Sequence, residues 1–560
     1  MSFRKGAVRL SDRLQQAAER SFHWLDARLP AASAGKLLRK AFPDHWAFLL
    51  GELALYSLLV LVLTGVFLTL FFDPAMNEST YQGSYVPLQG TRMTQAYAST
   101  LRISFDVRGG LLIRQIHHWA ALTFLAAIGV HMLRIFFTGA FRRPREGNWA
   151  IGLTLFLLAL LEGFCGYSLP DDLLSGTGLR TAATIMGSIP VVGTYLSFFA
   201  FGGEFPGQVI IPRLYVLHIL LVPGILIALV TVHLILVVYL KHTQWRGPGR
   251  TNKNVLGQPM LPQWLVKSTG LFIILSGVFA VLGALGQINP VWDYGPFQAD
   301  QVSTDAQPDW YVGFLEGALR LMPPWETNLW GHTIMWNVFI PAVALPGVLF
   351  GVLYAYPFFE RWVTPERGER HLCDRPREQH TRTGLGVAAI SFYAVLLLAG
   401  GNDVVAFIFD LSINALTWVL RVAVLVVPPL AFVVTKWLCL ALQHRDRERL
   451  IEGDETGQVQ QSVYGDLSEG HRPLPAAERL TLLARRTQLP LPDPEVPAKT
   501  LPRRQRLQLS LSRWYYRDQV EFPVLQEHKD EKEAKDEEGQ REGREWQADG
   551  LSSRGPRAGR

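Results

Sequence analysis

The chain has 560 residues, 49% of them hydrophobic, and its 54 Lys and Arg against 48 Asp and Glu leave a formal net charge of +6. Apolar runs long enough to cross about 30 Å of hydrocarbon exclude an ordinary soluble domain, and so modest a charge gives no nucleic-acid reading. Three scattered cysteines, Cys165, Cys373 and Cys439, offer no disulfide framework, no zinc spacing and no C-x-x-C-H attachment motif.

Residues 1–44 are mostly polar, so the N-terminus does not read as a secretory signal. Val8, Leu10, Leu14, Ala17, Ala18, Phe22 and Leu25 instead predict an amphipathic helix lying on the membrane surface. Apolar runs follow at Phe48 to Phe72, Leu111 to Phe137, Trp149 to Leu169, Tyr215 to Leu240, Leu265 to Leu285, Thr333 to Tyr356, Leu385 to Gly400 and Leu416 to Leu442. The expected fold is therefore all-α, a polytopic membrane protein of about eight transmembrane helices. Two membrane units are predicted, residues 45–257 and residues 258–443, joined across the basic Pro/Gly-containing linker Trp245 to Pro262. From His444 to residue 560 the composition turns charged and Pro-rich, which predicts a largely disordered tail.

Basic residues crowd the N-terminal segment and three loops: Arg142, Arg143 and Arg145; Lys241, Arg246, Arg250 and Lys253; and Arg361 to Arg382. The alternate loops carry Asp73, Asp171, Asp172, Asp293, Asp305, Asp309 and Asp403. By the positive-inside tendency the basic loops and both termini are cytoplasmic, and an even number of spans agrees. The expected location is the cell membrane, in contact with lipid.

Four histidines stand at matched depths on two spans, His117 and His131 on the second, His218 and His233 on the fourth. Fourteen or fifteen residues at 1.5 Å each separate the members of a pair by about 21 Å along the helix, on roughly one side of it. One such histidine is commonly a satisfied interior residue. Four at matching depths point to two metal centres, each between two imidazoles, because polar groups at mid-membrane are costly and imidazole is a good axial ligand of haem iron. With topology assigned, His117 pairs with His218 near the outer face and His131 with His233 nearer the cytoplasm. His118 points about 100° away from His117 and is expected to face a neighbour; His45 and His332 lie near membrane boundaries, where interfacial solvation accounts for them.

Gly51 and Gly65 on the first span repeat the fourteen-residue step, as do Gly152 and Gly166 on the third. Small residues at this period admit either a flat macrocycle or a neighbouring helix, and the coincidence with the histidine spacing favours two haem planes in a bundle of the first four spans. Arg114, Arg134 and Arg213 bracket the histidines toward the two faces, where haem propionates would point; snorkelling at helix ends is the competing account.

These residues match a family. The segment R-Q-I-H at Arg114 to His117 with His131 and Arg134, and R-L-Y-V-L-H at Arg213 to His218 with His233, resemble the second and fourth helices of cytochrome b of the cytochrome bc complexes. G-Y-S-L-P at Gly166 to Pro170 and G-S-I-P at Gly187 to Pro190 resemble the ends of its outer quinol pocket. Pro308-Asp309-Trp310-Tyr311 occupies the place of the family's P-E-W-Y motif, with aspartate shortening the reach by one methylene. The resemblance runs from about His45 to Gln443. It implies two non-covalent, bis-histidine haem b groups, and quinol oxidation at an outer site where Asp309 accepts a proton. Tyr311 and Tyr167 are candidates to orient the ring or a water, and Glu316, seven residues on and two turns along the same face if this segment is helical, to share or relay the proton. Helix capping is the alternative role for Asp309.

The same resemblance implies quinol:cytochrome c reductase activity as a subunit of a complex. One electron would go to a Rieske iron–sulfur subunit and on to a c-type cytochrome, the other through both haems to quinone near the cytoplasm, with proton translocation. Lys241 and His242 are candidates at that inner quinone site. The tail, the polar N-terminal extension and P-D-W-Y resemble the actinobacterial branch, which implies menaquinol, a homodimeric complex and association with a terminal oxidase. Two other readings stay open from the residues: the di-haem anchor of another quinone-linked oxidoreductase, and a transporter whose midplane histidines relay protons.

Overall fold

In hydrocarbon every backbone N–H and C=O needs an internal partner, and a continuous helix supplies one. The computed structural model describes residues 40–301, 307–483, 485, 489–494 and 501–523. Within them are eight helices long and apolar enough to cross a membrane: Leu50–Thr69, Gly110–Thr138, Glu146–Ser168, Ile210–Tyr239, Met260–Leu285, Trp336–Val363, His380–Gly400 and Ile413–Glu452. They fall on the eight apolar runs. The last extends ten residues beyond the expected Leu442, as a charged helix that leaves the apolar zone. The amphipathic stretch from Val8 to Leu25 and the tail from residue 524 lie outside the described residues.

The first span packs on the second, the third on the fourth, and the fifth on the second and first, while the seventh packs mainly on the eighth and touches the second at Gly386. Ala54, Leu58, Phe124, Leu125, Ile128 and Ala159 close the middle of the first four-span group. That packed layer separates the level of His117 from the level of His131.

Shorter helices cover the Asp309 side: Gln95–Phe105, Leu173–Gly187, Gly193–Phe201 and Gly313–Leu321. The opposite face is closed by the basic loops, which are not simply solvated. Asp374, fully buried, pairs with Arg142 at 2.8 Å and accepts from Arg382 and Arg246, each at 2.9 Å. Burial alone would push its carboxyl up, but the three guanidiniums hold it well below the usual carboxylate range.

The expectation of a largely disordered tail from His444 needs correction over its described part. A hairpin pairs Asp454–Gln461 with Leu467–Arg472, and helices run over Ala476–Leu483 and Arg503–Tyr515. The last is anchored by chemistry that composition hides: the Tyr515 hydroxyl donates to Glu360 Oε2 at 2.9 Å, and Ser512 donates to the Val363 carbonyl at 2.7 Å. Arg421, a charge inside the eighth span, donates to the Leu321 carbonyl at 2.8 Å. Leu321 ends a helix whose terminal carbonyls attract a cation.

Candidate functional site

The helices bring the four histidines together in the expected pairs of depths. His117 and His218 face each other with ring centroids 6.1 Å apart at 74°. His131 and His233 line one cavity of about 730 Å³ at the basic face. Each of the four glycines lies against one histidine. A Cβ built at Gly65 would sit 3.4 Å from His117 Cε1, at Gly166 2.5 Å from His218, at Gly51 3.3 Å from His131, and at Gly152 3.7 Å from His233.

The fifteen-residue step on the fourth span would rotate His218 away from His233 by one residue, about 100°, relative to a fourteen-residue step in a regular α-helix. A π-helical turn over Leu217–Leu221 absorbs the extra residue, with Val222 N–H donating five residues back to the Leu217 carbonyl. Pro223, which has no N–H to continue the regular ladder, follows directly.

Ring nitrogens at the two levels are held differently. His117 Nδ1 lies 2.9 Å from Thr64 Oγ1, and His218 Nδ1 lies 2.9 Å from Glu162 Oε1. At the other level, Nδ1 of both His131 and His233 is buried with no hydrogen-bond partner among the described residues. The Nε atoms of Arg114 and Arg134 are likewise buried and unpartnered. Buried donors without partners are rare and mark a missing group. These residues fit haem: imidazoles free to ligate, backbone cleared by glycine, and guanidiniums available to carboxylates.

On the opposite face the loop of Pro308 to Val312 packs Tyr311 beside the third span, its hydroxyl 2.7 Å from where a Cβ at Gly163 would be. Tyr311 donates to Asp309 Oδ2 at 2.9 Å, and His118 Nε2 stands 3.6 Å from Asp309 Oδ1. Burial, with the charge of Asp309 next, pushes the Tyr311 phenol well above its usual value, so it remains a donor. Asp309 does not cap the helix that follows, which begins at Gly313 without a side-chain cap. For the same reason Asp309 and Glu316 do not share a helix face. Glu316 instead pairs with Arg320, which also reaches Asp403 at 2.7 Å, while Glu316 Oε2 is buried without a partner among the described residues. Tyr167 stands within electrostatic reach of both Asp309 and Glu316.

Residues 122–296 match the family described as Cytochrome b(N-terminal)/b6/petB. The chain is 53% identical over 522 residues to a protein of Streptomyces coelicolor named cytochrome bc1 complex cytochrome b subunit, covering 92% of this chain and 96% of that one. Proteins of the same name from Mycobacterium tuberculosis and Corynebacterium diphtheriae are 52% and 49% identical, each covering 80% of this chain and 81% and 83% of theirs. The chain belongs to the cytochrome b family of the cytochrome bc1 complexes. Among solved structures, a chain of a hyperthermophilic respiratory Complex III shares the fold, with a TM-score of 0.56 at 20% identity over 74% of this chain and 98% of that one.

In this cytochrome b the three arginines have different surroundings. Arg213 is exposed and donates to the Phe199 and Ala200 carbonyls at the end of Gly193–Phe201, a helix C-terminus that attracts a cation. Arg134 lines the cavity at the basic face over the Phe48 ring, and Arg114 donates to the Asn289 carbonyl at 3.3 Å. Sequence reasoning missed Glu162 and Thr64, which touch His218 and His117, and gave His118 no named partner. A carboxylate at position 162, inside an apolar span, was the signal available.

Proposed function

We propose that this cytochrome b oxidises quinol, menaquinol in its own setting, at the Asp309 face of a bc1-type quinol:cytochrome c reductase. Its two pairs of histidines would hold two haem b groups, His117 with His218 and His131 with His233, and Arg114 and Arg134 would meet their carboxylates. Bound haem supplies a one-electron carrier at each depth. The observation that carries the reading is the fourfold match of glycine to histidine, two contacts at each of two levels.

At the Asp309 face a quinol hydroxyl gives its proton to the carboxylate, which Tyr311 orients through its hydrogen bond and which His118 faces from the second span. Tyr167 borders the same space. Glu316, fixed by Arg320, stands ready to take the proton onward, where Asp403 continues the polar chain. One electron leaves to a Rieske iron–sulfur subunit and then a c-type cytochrome; the other crosses to quinone at the basic face. That face is cytoplasmic by its charge, with both termini on it, so protons are released outside and taken up inside. A homodimeric complex associated with a terminal oxidase completes the reading.

Quinol-dependent reduction of b haem in the purified complex tests it, with and without the iron–sulfur subunit. Reduction from the Asp309 face should need that subunit. A complex with no b-type bands would point to the transporter reading, and one indifferent to Asp309→Ala to another di-haem anchor.

A further inference from the structure

The cavity at the basic face extends past the His131–His233 pair to a polar wall where the first and fifth spans meet. Glu52, one residue after the glycine that abuts His131, presents its carboxylate there. Trp264 Nε1 donates to Oε1 at 3.0 Å and Ser268 Oγ to Oε2 at 2.6 Å, with the Tyr56 hydroxyl bonded in turn to Ser268. Next to Ser268 in sequence, Lys267 pairs with Asp44 at 2.9 Å, both about half exposed at the cavity mouth. Polar side chains therefore stand both at the cavity mouth and, around a carboxylate, on its inner wall.

We propose that Glu52, held by Ser268 and Trp264 in a cavity whose mouth carries the Asp44–Lys267 pair, delivers the protons to a quinone reduced in this cavity. The proposal rests on the reading of the chain as a quinol-oxidising cytochrome b. Reduction of quinone adds two electrons and two protons, each ring C=O becoming C–OH. The electrons come one at a time from quinol oxidised at the opposite face. The protons come from water, each passed through Glu52, which is reprotonated from the mouth.

Two observations favour this role over a simple tie between spans. An ionisable group in a membrane span is costly and is retained for function, whereas a glutamine, accepting from Trp264 and donating to Ser268, would tie the two spans as well. Of the two candidates read from the sequence that also line the cavity, Lys241 is exposed and His242 is unsuited. His242 is pushed down to about 4 by burial, with Arg145, Lys40 and Arg134 adding, so it holds no proton to give near neutrality.

The test pre-reduces the haems of the intact complex, in an Asp309→Ala background that closes the opposite site, and mixes it with a soluble naphthoquinone. Glu52→Gln should slow reoxidation of the b bands about a hundredfold, the low end for removing a positioned proton-transfer group, with haem content and absorption maxima unchanged. Glu52→Asp should recover part of the rate. Reoxidation of Glu52→Gln at the parent rate would overturn the proposal. Should that variant lose haem, Trp264→Phe with Ser268→Ala leaves the carboxylate but frees it; slowed reoxidation supports the proposal and an unchanged rate refutes it. Parent complex whose haems never reduce with quinol would instead defeat the underlying reading.

Discussion

Gly166 and His218 are in closer apposition than any side chain at 166 would allow: a Cβ there would stand 2.5 Å from His218 Cε1 and 3.0 Å from Nε2. The imidazole cannot simply retreat, because Glu162 holds its other nitrogen at 2.9 Å. The glycines therefore form a graded series. Gly166→Ala should remove one b haem, whereas Gly152→Ala, with ordinary contact at 3.7 Å, should keep both. Haem per chain in the two purified variants checks this, and equal retention would count against it.

Asp309→Ala should lower the rate of quinol-driven haem reduction by roughly 10²–10⁴, the span for loss of a general base, with haem bands intact. Tyr311→Phe removes one hydrogen bond to the carboxylate, about 1.5–3 kcal/mol, and should slow the same step by a smaller factor. Stopped-flow reduction by a menaquinol analogue measures both, and Asp309→Glu, with its longer reach, should stay active.

Glu162→Gln should raise the potential of one haem and leave the other unmoved. The carboxylate touches His218 of the His117–His218 pair, and a negative charge beside a ligand favours the oxidised iron. If the charge is worth tenfold in the one-electron equilibrium, the rise is about 59 mV. Potentiometric titration of the b bands reports it; a shift in both centres or in neither contradicts the asymmetry.

Arg382 is wholly buried between Glu360 and Asp374, at 2.8 and 2.9 Å. Replacing it with alanine should cost about 3–5 kcal/mol, as for any buried pair stripped of one member, and should loosen Arg503–Tyr515, whose Tyr515 shares Glu360. Asp374 titrates lower folded than unfolded. Its stabilisation is thus complete above the ordinary carboxylate value, about 3.9, and is lost as pH falls through the folded one. Thermal unfolding in detergent should show an acid-dependent loss that Asp374→Asn largely removes.

Asp171 behaves oppositely. Burial, opposed by the Thr94 hydrogen bond and reinforced by Asp172, pushes its carboxyl up to about 7. The folded chain then binds a proton that the unfolded chain has released, so this group's contribution falls as pH rises from about 4 toward 7. Infrared difference spectra should show a protonated carboxyl that titrates near 7 and is absent in Asp171→Asn.

Much of this was legible in the residues. Eight apolar runs, two histidine pairs and two glycine pairs give the spans and their mutual depths, because membrane thickness and helical rise leave little freedom. The π-helical turn at Leu217–Leu221 was not legible, although the fifteen-residue step asked for something like it. The helix C-terminus that Arg213 meets was not legible, because a guanidinium at a span end suits a propionate and a helix C-terminus equally. The tail misled for a related reason: Tyr515 and Ser512 are anchored by hydrogen bonds to Glu360 and Val363, far away in sequence, where composition says nothing. Glu316 failed as a same-face partner of Asp309 because the helix starts only at Gly313.

The most direct measurement is haem content by alkaline pyridine spectroscopy of the purified chain in its complex, beside that of His131→Ala. Two b haems per chain in the parent and no more than one in the variant are expected. A parent without b haem, or a variant that keeps both, would contradict the assignment of the four histidines.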